Sequence, residues 1–462
     1  MSIEELYKLY CDCGYQVSTD SRTIPAGAMF FALRGENFDG NDYALKALEA
    51  GAAYAVVNSD WAAAAGMMPG EVCGRAMPGQ GSPCGTLPGP LPVADGRIIP
   101  VEDPFTTLQA LAVHHRETLG IPVIGLTGTN GKTTTKELIT AALSAKFKVA
   151  ATKGNLNNDI GVPLTLLSMT PDTEMAVVEM GANHPDDIAK LVKVSRPDYG
   201  YITNVGKAHL LGFGSYEGVL AAKTELYKWL GAHEGSVIFV NTGHPDLAAA
   251  ARTRHCHQWE FSMESMDAEV LPTSEENPFL SLRVGKDVIR TRLVGAYNAD
   301  NVLAAFSISQ YFGVPKADAI QALEAYEPSN SRSQLVKTER NTLIVDAYNA
   351  NPSSMGLAVD NLAAMQAPSK LALLGDMREL GEASAEEHKG IVCKLIAAGI
   401  PAYLVGEEFG KAAVDDPLIL GCFPTSDDLA DFIRANPQKF RGKTILVKGS
   451  RGIRMEKTIP EL

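Results

Sequence analysis

The segment that decides the fold is IPVIGLTGTNGKTTT, residues 121–135. Its first residues are apolar and predict a strand, and its second half is a glycine-rich turn that ends in Gly131-Lys132-Thr133. A helical segment, Lys136–Ala145, follows. A strand, a glycine-rich turn and a helix in this order are the context that a phosphate-binding loop requires. The segment therefore predicts a nucleotide site at the end of a strand in an α/β protein.

The chemistry of this turn suits a triphosphate. Glycines let the backbone approach phosphate oxygens, and successive N–H groups form an anion-binding nest at a helix N-terminus. Lys132 would contact the β- and γ-phosphates, and the Thr133 hydroxyl would hold Mg²⁺. The usual spacing puts a glycine at position 126, where this chain has leucine, so the turn fits a shorter form. A plain turn before a core helix is the alternative. The residues expected to bind ATP here are Gly128, Thr129, Asn130, Gly131, Lys132, Thr133 and Thr134.

Length and composition indicate a globular protein of several domains. The chain has 462 residues, which predicts about three domains. The net charge of −13 argues against nucleic acid as a partner, because phosphate neutralisation needs a basic face. The seven cysteines have scattered spacings, so neither a disulfide framework nor a zinc site is predicted. We find no apolar signal-peptide core and no run of about 18 apolar residues. A cytoplasmic protein without membrane insertion is expected.

Strands and helices alternate along most of the chain, which favours parallel α/β sheets. The expected fold is α/β with three domains: a small α/β N-terminal domain over 1–102, a central P-loop domain with a parallel sheet over 103–316, and a Rossmann-like α/β C-terminal domain over 317–462. Residues 61–97 are rich in Gly, Pro and Ala and predict a mobile surface insertion.

Further runs follow the phosphate loop in a fixed order and carry a family resemblance. They are NLNNDIGVP (155–163), EMG (179–181), TNVGKAH (203–209), KTE (223–225) and GAYNADN (295–301). Together with GTNGKTT they resemble the Mur ligase superfamily, which includes the folylpolyglutamate synthetases. Two positions depart from the pattern. Tyr297 stands where the superfamily commonly has histidine, and Leu211 stands where it often has glutamate.

The resemblance implies a second magnesium site. It assigns Glu179 and His209 as ligands between the γ-phosphate and a substrate carboxylate, and it implies that Lys223 is carbamylated and supplies a third anionic ligand. Mg²⁺ prefers oxygen ligands, so a carbamate suits it better than an amine. The alternatives are a solvated strand end for Glu179, a loop histidine for His209 and a helix-surface lysine for Lys223.

The resemblance also implies a nucleotide site beyond the loop. Asn298 and Asn301 share a helix face, and the first would bind the adenine edge; a polar pair at a helix N-terminus is the alternative. Arg332 and Asp346 would hold phosphate and ribose if the C-terminal domain closes over ATP. Asn349 and Asn351 would face the second substrate, although Asn-Pro-Ser-Ser is also a common start of a helix.

The two ends of the chain narrow the activity that the resemblance implies. The runs STDSR (18–22) and GENFDG (35–40) resemble the uridine-nucleotide domain of some superfamily members. DAYNANPSSM (346–355), LGDMRELG (374–381) and VKGSR (447–451) resemble those that add D-alanyl-D-alanine to UDP-N-acetylmuramoyl-tripeptide. The implied substrate-binding residues are Ser21, Arg22, Gly40, Asn41, Asn155, Asn158, Asn349 and Asn351.

The implied activity is an ATP-dependent ligase of peptidoglycan precursor synthesis, acting through an acyl-phosphate and expected as a monomer. A carboxylate is a poor electrophile, and phosphorylation makes it reactive toward an amine. Two alternatives stay open from the sequence. One is another ligase of the superfamily, such as a folylpolyglutamate synthetase. The other is a non-catalytic nucleotide-binding protein, which Leu211 and the insertion keep in view.

Overall fold

The computed structural model describes residues 1–67, 96–207, 210–274, 277–328, 332–367 and 369–462. The chain folds into two compact units. The first contains Met1–Ile121, Asn155–Thr173 and Val194–Arg196, and the second contains Pro122–Gly154, Glu174–Lys193 and Pro197–Leu462.

The elements alternate along the chain as the sequence predicts. The helices are α1 (Ile3–Asp12), α2 (Ala44–Glu49), α3 (Ser59–Ala64), α4 (Pro104–Leu119), α5 (Lys132–Ser144), α6 (Gly161–Leu166), α7 (Asp187–Ser195), α8 (Leu210–Phe213), α9 (Tyr216–Lys223), α10 (Glu225–Gly231), α11 (Pro245–Arg252), α12 (Ala299–Tyr311), α13 (Lys316–Ala325), α14 (Pro352–Ala364), α15 (Ser384–Ala397), α16 (Glu407–Ala412) and α17 (Ser426–Ala435). The strands are β1 (Val17–Ser18), β2 (Met29–Phe31), β3 (Arg34–Gly35), β4 (Phe38–Asp39), β5 (Tyr54–Asn58), β6 (Ile98–Val101), β7 (Val123–Thr127), β8 (Val149–Ala151), β9 (Met175–Glu179), β10 (Tyr199–Ile202), β11 (Val237–Asn241), β12 (His257–Phe261), β13 (Ala268–Leu271), β14 (Ser281–Val284), β15 (Asp287–Arg290), β16 (Gln334–Lys337), β17 (Thr342–Asp346), β18 (Lys370–Gly375), β19 (Ala402–Val405), β20 (Ile419–Phe423) and β21 (Thr444–Lys448).

The first unit contains a four-stranded parallel sheet in the order β1-β2-β5-β6, with the short antiparallel pair β3-β4 between β2 and β5 in the chain. Small and apolar side chains fill its core, among them Phe30, Ala55 and Val57. Helix α1 begins at a capping box in which Ser2 and Glu5 exchange hydrogen bonds. Such a box satisfies backbone groups that the first turn leaves free, and so it fixes where the helix starts.

The predicted insertion begins later than residue 61. Asn58 accepts hydrogen bonds from the backbone N–H groups of Asp60 and Trp61 and caps α3. Ala62 is fully buried, and Trp61 packs against the same core. The composition of this alanine-rich run favours a loop, but its apolar face is needed to cover the sheet. Residues 68–95, which hold most of the predicted insertion, lie outside the described residues.

The second unit contains a six-stranded parallel sheet in the order β12-β11-β10-β7-β9-β8. Strand β7 lies inside this sheet and all its residues are buried, which explains its continuous apolar run. Helices α5 and α12 pack on the sheet through Leu138, Ile139 and Leu303. A small antiparallel sheet, β13-β14-β15, adds Leu282 and Ile289 to the same core.

A second six-stranded sheet in this unit has the order β16-β17-β21-β18-β19-β20. It is parallel except for the antiparallel edge strand β16. Separate apolar clusters cover its two faces, one with Leu374 and Leu446 and the other with Leu373 and Val447. The carboxyl ends of β17, β21 and β18 meet at one edge, where open parallel sheets bind ligands.

The α/β fold, built on three separate and mainly parallel sheets, confirms the predicted fold class. Within the described ranges, we find no helix with the length and apolarity needed to cross a lipid bilayer.

Candidate active site

The predicted phosphate loop connects the end of β7 to the start of α5, and two of its glycines are required by its shape. Gly128 has φ +144°, and a Cβ atom there would lie 2.0 Å from the Thr203 hydroxyl oxygen. Gly131 has φ +77°, and its Cβ would lie 2.7 Å from Oδ1 of Asn301. Both positions combine a backbone conformation that L side chains rarely adopt with no room for a side chain. The loop can therefore form a cradle of backbone N–H groups, which fits a phosphate chain.

The run that follows β10 braces this loop. Thr203 donates its hydroxyl to the carbonyl of Asn130 at 2.7 Å. Asn204 accepts from the Asn130 N–H at 3.0 Å and donates to its carbonyl at 3.1 Å. The N–H of Gly206 donates to the Thr129 hydroxyl at 3.0 Å. Thr203 and Asn204 were not among the predicted site residues, although the TNVG run did mark the segment.

Lys132 opens α5 and folds back over the loop. Its Nζ donates to the carbonyls of Gly128 at 2.8 Å and Thr129 at 3.1 Å. Burial lowers the pKa of Lys132 below its ordinary value, the Glu179 carboxylate opposes that shift, and the Arg332 guanidinium adds to it. Two cations near each other in a poorly solvated place are stabilised by an anion between them. This arrangement fits phosphate oxygens.

Thr133 and Glu179 form a buried oxygen pair beside the loop. The Thr133 hydroxyl donates to Oε2 of Glu179 at 3.0 Å, and the two residues are 3 % and 1 % exposed. The N–H of Glu179 donates to the Thr152 hydroxyl at 2.9 Å, which fixes the end of β9. A hydroxyl and a carboxylate are the donor types that Mg²⁺ prefers. Glu179 is thus not a solvated strand end.

Lys223 lies at the end of α9 and is 2 % exposed. Its Nζ donates to the Ala182 carbonyl at 3.3 Å and lies 5.5 Å from the centroid of the Phe213 ring. Burial, reinforced by the positive charge of Lys132, lowers the pKa of Lys223 to about 7. The alternative of a helix-surface lysine is therefore wrong. His209, the other predicted ligand, lies outside the described residues.

The protein side chains alone supply few metal ligands. Among the residues that the structure describes, no group of three or more His, Cys, Asp or Glu side chains is arranged to hold a metal ion. Glu179 and the Thr133 hydroxyl supply two oxygens, and a protonated lysine supplies none. A carbamate on Lys223 would add an anionic oxygen donor, so the residues present fit Mg²⁺ only with such a modification or with ligands from bound substrates and water.

Asn298 and Asn301 face the loop helix and are committed to internal hydrogen bonds. Asn301 accepts from the Thr135 hydroxyl at 2.9 Å and donates to Oδ1 of Asn298 at 2.9 Å. Asn298 Nδ2 donates to the Val294 carbonyl at 2.9 Å and to the Ser333 hydroxyl at 3.2 Å. Both amide hydrogens of Asn298 are therefore used inside the protein. Its predicted contact with adenine stays a prediction.

Residues from the C-terminal sheet reach the same region. The Arg332 guanidinium lies 3.8 Å from the centroid of the Tyr348 ring, and its buried Nε has no hydrogen-bond partner among the described residues. Lys448 is 1 % exposed and donates to Oδ2 of Asp346 at 2.5 Å and to the carbonyl of Asn349 at 3.2 Å. Lys448 was not predicted, and it holds the turn that carries two predicted residues.

Asn351 connects the C-terminal sheet to the phosphate loop. Its Nδ2 donates to Oδ1 of Asn130 at 2.7 Å, while its Oδ1 accepts from the Ser354 N–H at 2.9 Å and caps α14. The helix-cap interpretation is correct for Asn351, and the amide makes a second contact that the sequence did not predict. The exposed Asn349 uses its carbonyl to accept from Lys448.

The predicted substrate residues of the first unit lie on its loops. Arg22 is exposed and pairs with Asp20 through two hydrogen bonds of 2.8 and 2.7 Å, and Ser21 lies between them in the chain. Asn41 is fully buried; it donates to Asp39 and accepts from the Asn58 N–H at 2.8 Å. The amide of Asn41 is therefore structural as placed here.

Three further substrate predictions concern backbone turns. A Cβ at Gly40 would lie 2.3 Å from the Leu33 carbonyl oxygen, so only glycine fits. Asn158 accepts from the Gly161 N–H at 2.8 Å and shapes the start of α6, and Asn155 is exposed. The structure does not by itself assign these residues to a ligand.

Comparison with known proteins identifies relatives over nearly the whole chain. Residues 15–116, 126–309 and 331–451 match models described as "Mur ligase family, catalytic domain", "Mur ligase middle domain" and "Mur ligase, glutamate ligase domain". A curated relative from Bacillus subtilis (strain 168), named UDP-N-acetylmuramoyl-tripeptide--D-alanyl-D-alanine ligase, is 31 % identical over 96 % of this chain and 92 % of its own length.

Solved structures agree. MurF from Acinetobacter baumannii superposes with a TM-score of 0.79 at 28 % identity, covering 97 % of this chain and 93 % of that one. MurF ligase from Thermotoga maritima in complex with ADP gives a TM-score of 0.76 at 26 % identity, covering 96 % of both chains.

Proposed function

Because the chain belongs to the Mur ligase family, we propose that it is an ATP-dependent ligase that adds D-alanyl-D-alanine to UDP-N-acetylmuramoyl-tripeptide. The product would be a peptidoglycan precursor, with ADP and phosphate released. The observation that carries this proposal is the glycine loop with Lys132 beside the buried Thr133–Glu179 pair. The names of the relatives, at this coverage, supply the substrates.

The reaction divides into two transfers. A carboxylate oxygen of the tripeptide attacks the γ-phosphorus of ATP, ADP leaves, and an acyl-phosphate forms. The dipeptide amine then attacks the acyl carbon, and phosphate leaves with the bonding electrons. Both steps place negative charge near the loop, where backbone N–H groups, Lys132 and Arg332 would stabilise it.

Magnesium would be held by Thr133 and Glu179, with His209 and a carbamate on Lys223 as the further ligands. The ion would neutralise phosphate charge and orient the tripeptide carboxylate. Carbamylation needs a neutral amine, and the low pKa of Lys223 supports it because a large share of this amine is neutral near pH 7. The carbamate would also replace a cation next to Lys132 with an anion.

We assign the three domains to three ligands. Residues 1–102 would bind the uridine-nucleotide end through Ser21, Arg22, Gly40 and Asn41. Residues 103–316 would bind ATP. Residues 317–462 would bind the dipeptide and close over ATP, and the contact of Asn351 with Asn130 in the loop supports such closure.

The direct test is incubation of the purified chain with UDP-N-acetylmuramoyl-tripeptide, D-alanyl-D-alanine and ATP-Mg²⁺, with product mass and phosphate release measured. We expect a mass increase of one dipeptide less water and phosphate release that requires both substrates. Lys132→Ala should abolish turnover and keep its thermal unfolding temperature. Lys228→Ala is the matched control, since Lys228 is exposed on the neighbouring helix α10.

The outcomes separate the alternatives. Elongation with glutamate instead of the dipeptide would point to a folylpolyglutamate synthetase. ATP binding without phosphate release under any substrate combination would point to a non-catalytic nucleotide-binding protein. Full turnover by Lys132→Ala would refute the role of the loop.

A further inference from the structure

Ser333 occupies the junction between α13 and the C-terminal sheet in an uncommon backbone conformation. Its φ is +47°, in the left-handed region that non-glycine residues rarely adopt, and it is 4 % exposed. Its N–H donates to Oδ1 of Asp346 at 3.4 Å, and its carbonyl accepts from the Val294 N–H at 3.3 Å. A strained residue persists only where surrounding contacts fix it, so the junction has a defined geometry.

The Ser333 hydroxyl completes this set of contacts with a tyrosine. It shares a hydrogen bond of 3.1 Å with the Tyr297 hydroxyl and accepts from Nδ2 of Asn298 at 3.2 Å. Burial, reinforced by the Asp346 carboxylate, raises the pKa of Tyr297 well above its ordinary value. The phenol therefore stays protonated at any pH used for assays. The Tyr297 hydroxyl points at a protein group, and the contact exists because this chain has tyrosine here.

The residues on either side of Ser333 are those that the C-terminal sheet brings to the nucleotide. Arg332 precedes it directly and stacks on Tyr348 at 3.8 Å. Asp346 accepts from its N–H and pairs with the buried Lys448. A shift of Ser333 would therefore move the guanidinium and the carboxylate together.

We propose that Tyr297 and Ser333 are positioning residues that clamp the domain junction and so hold Arg332 and Asp346 in place for ATP. The inference rests on the proposed function. The clamp runs from the Asn301–Asn298 pair, through the two hydroxyls, to Asp346. It links helix α12, which packs against the helix of the phosphate loop, with the C-terminal sheet.

The clamp acts on nucleotide affinity and not on dipeptide binding. A hydrogen bond of this kind contributes about 1 kcal/mol, which corresponds to about a five-fold change in an equilibrium constant. Tyr297→Phe keeps the ring and removes the hydroxyl, so any direct stacking of the ring on the base is preserved. We expect Tyr297→Phe and Ser333→Ala each to raise the KM for ATP and the Kd for ADP about five-fold, with the KM for D-alanyl-D-alanine unchanged.

The experiment is a double-mutant cycle with steady-state kinetics, calorimetric titration of ADP and thermal unfolding. Because both variants remove one shared contact, Tyr297→Phe combined with Ser333→Ala should be no worse than either alone. Ser333→Gly should relax the backbone strain and still weaken ADP binding, which separates the hydroxyl from the φ angle. Tyr10→Phe is the control for a lost buried tyrosyl hydrogen bond, since its hydroxyl donates to the Leu167 carbonyl in the first unit at 2.7 Å.

The results distinguish this inference from the proposed function. Wild-type protein that binds ADP but makes no dipeptide product overturns the substrate assignment and leaves the ADP titration to test the clamp. An active wild-type protein with unchanged KM for ATP in both single variants overturns the clamp alone. A uniform loss of all constants with a lower unfolding temperature, as from general destabilisation, also overturns it.

Discussion

Lys223 offers the sharpest test of the chemistry, because its environment sets a measurable reactivity. The pKa of Lys223 is lowered from 10.5 to about 7 by burial and by Lys132. At pH 7 the neutral fraction of the amine rises from about 0.03 % for an ordinary lysine to about one half here, an increase of about 1,500-fold. Only the neutral amine adds to CO₂, so Lys223 should form a carbamate far faster than exposed lysines.

The perturbation is removal of dissolved CO₂, and the assay is phosphate release after CO₂ is restored at a fixed concentration. Activity should fall on depletion and return at a rate that rises with pH through about 7 and levels off above about 8, where the amine is mostly neutral. With ¹³C-labelled CO₂, a carbamate resonance should appear in the wild type and in Lys228→Ala, and be absent from Lys223→Ala.

Lys223→Ala should lose at least about 100-fold in kcat, since it removes a charged group from the site. Short carboxylic acids should restore part of that loss by supplying the missing anion. Full activity of the unrescued variant, or activity indifferent to CO₂ together with no carbamate resonance, would refute the ligand role of this lysine.

Three further outcomes are expected. Glu179→Gln keeps an acceptor for Thr133 but loses the charge, so kcat should fall about 100-fold or more while ADP binding and the unfolding temperature persist; retained kcat would contradict the metal role. Asn351→Ser keeps a good helix cap but is too short to reach Asn130, so it should lose activity like Asn351→Ala, whereas only the alanine variant should lose about 1 kcal/mol in the free energy of unfolding by chemical denaturation; equal stability of the two would exclude the cap. Burial lowers the pKa of His115 below 6.5, so the unfolded chain takes up a proton there that the folded chain does not, and stability should decrease as the pH falls below about 6.5; His115→Gln should flatten that decrease in thermal unfolding, and an unchanged slope would rule it out.

Local signals explain what the sequence predicted well. The strands of the two large parallel sheets are mostly continuous apolar runs, and β9, β19 and β6 begin and end where the sequence predicts. The phosphate loop was recognisable because its chemistry needs neighbouring residues in one turn. The hairpin sheet β13-β14-β15 was missed, since its short strands alternate polar and apolar residues without a strong turn pattern.

Contacts between distant segments explain what the sequence did not reveal in the site. Thr203 and Asn204 act on Asn130, which lies more than seventy positions earlier. Lys448 reaches Asp346 only because β21 pairs with β17. Asn41 has the residue type of a ligand contact, yet its amide is satisfied by Asp39 and Asn58. Residue type and spacing alone do not decide between these uses.

Strand order in the C-terminal sheet has a consequence for how the protein is made. Strand β21 lies between β17 and β18, although it follows every other strand of that sheet in the chain. During synthesis the two halves of this sheet cannot join until their central strand has emerged from the ribosome. The phosphate loop and its own sheet, by contrast, are complete long before that moment, so the enzyme's nucleotide cradle would be finished while the domain that covers it is still waiting for its last piece.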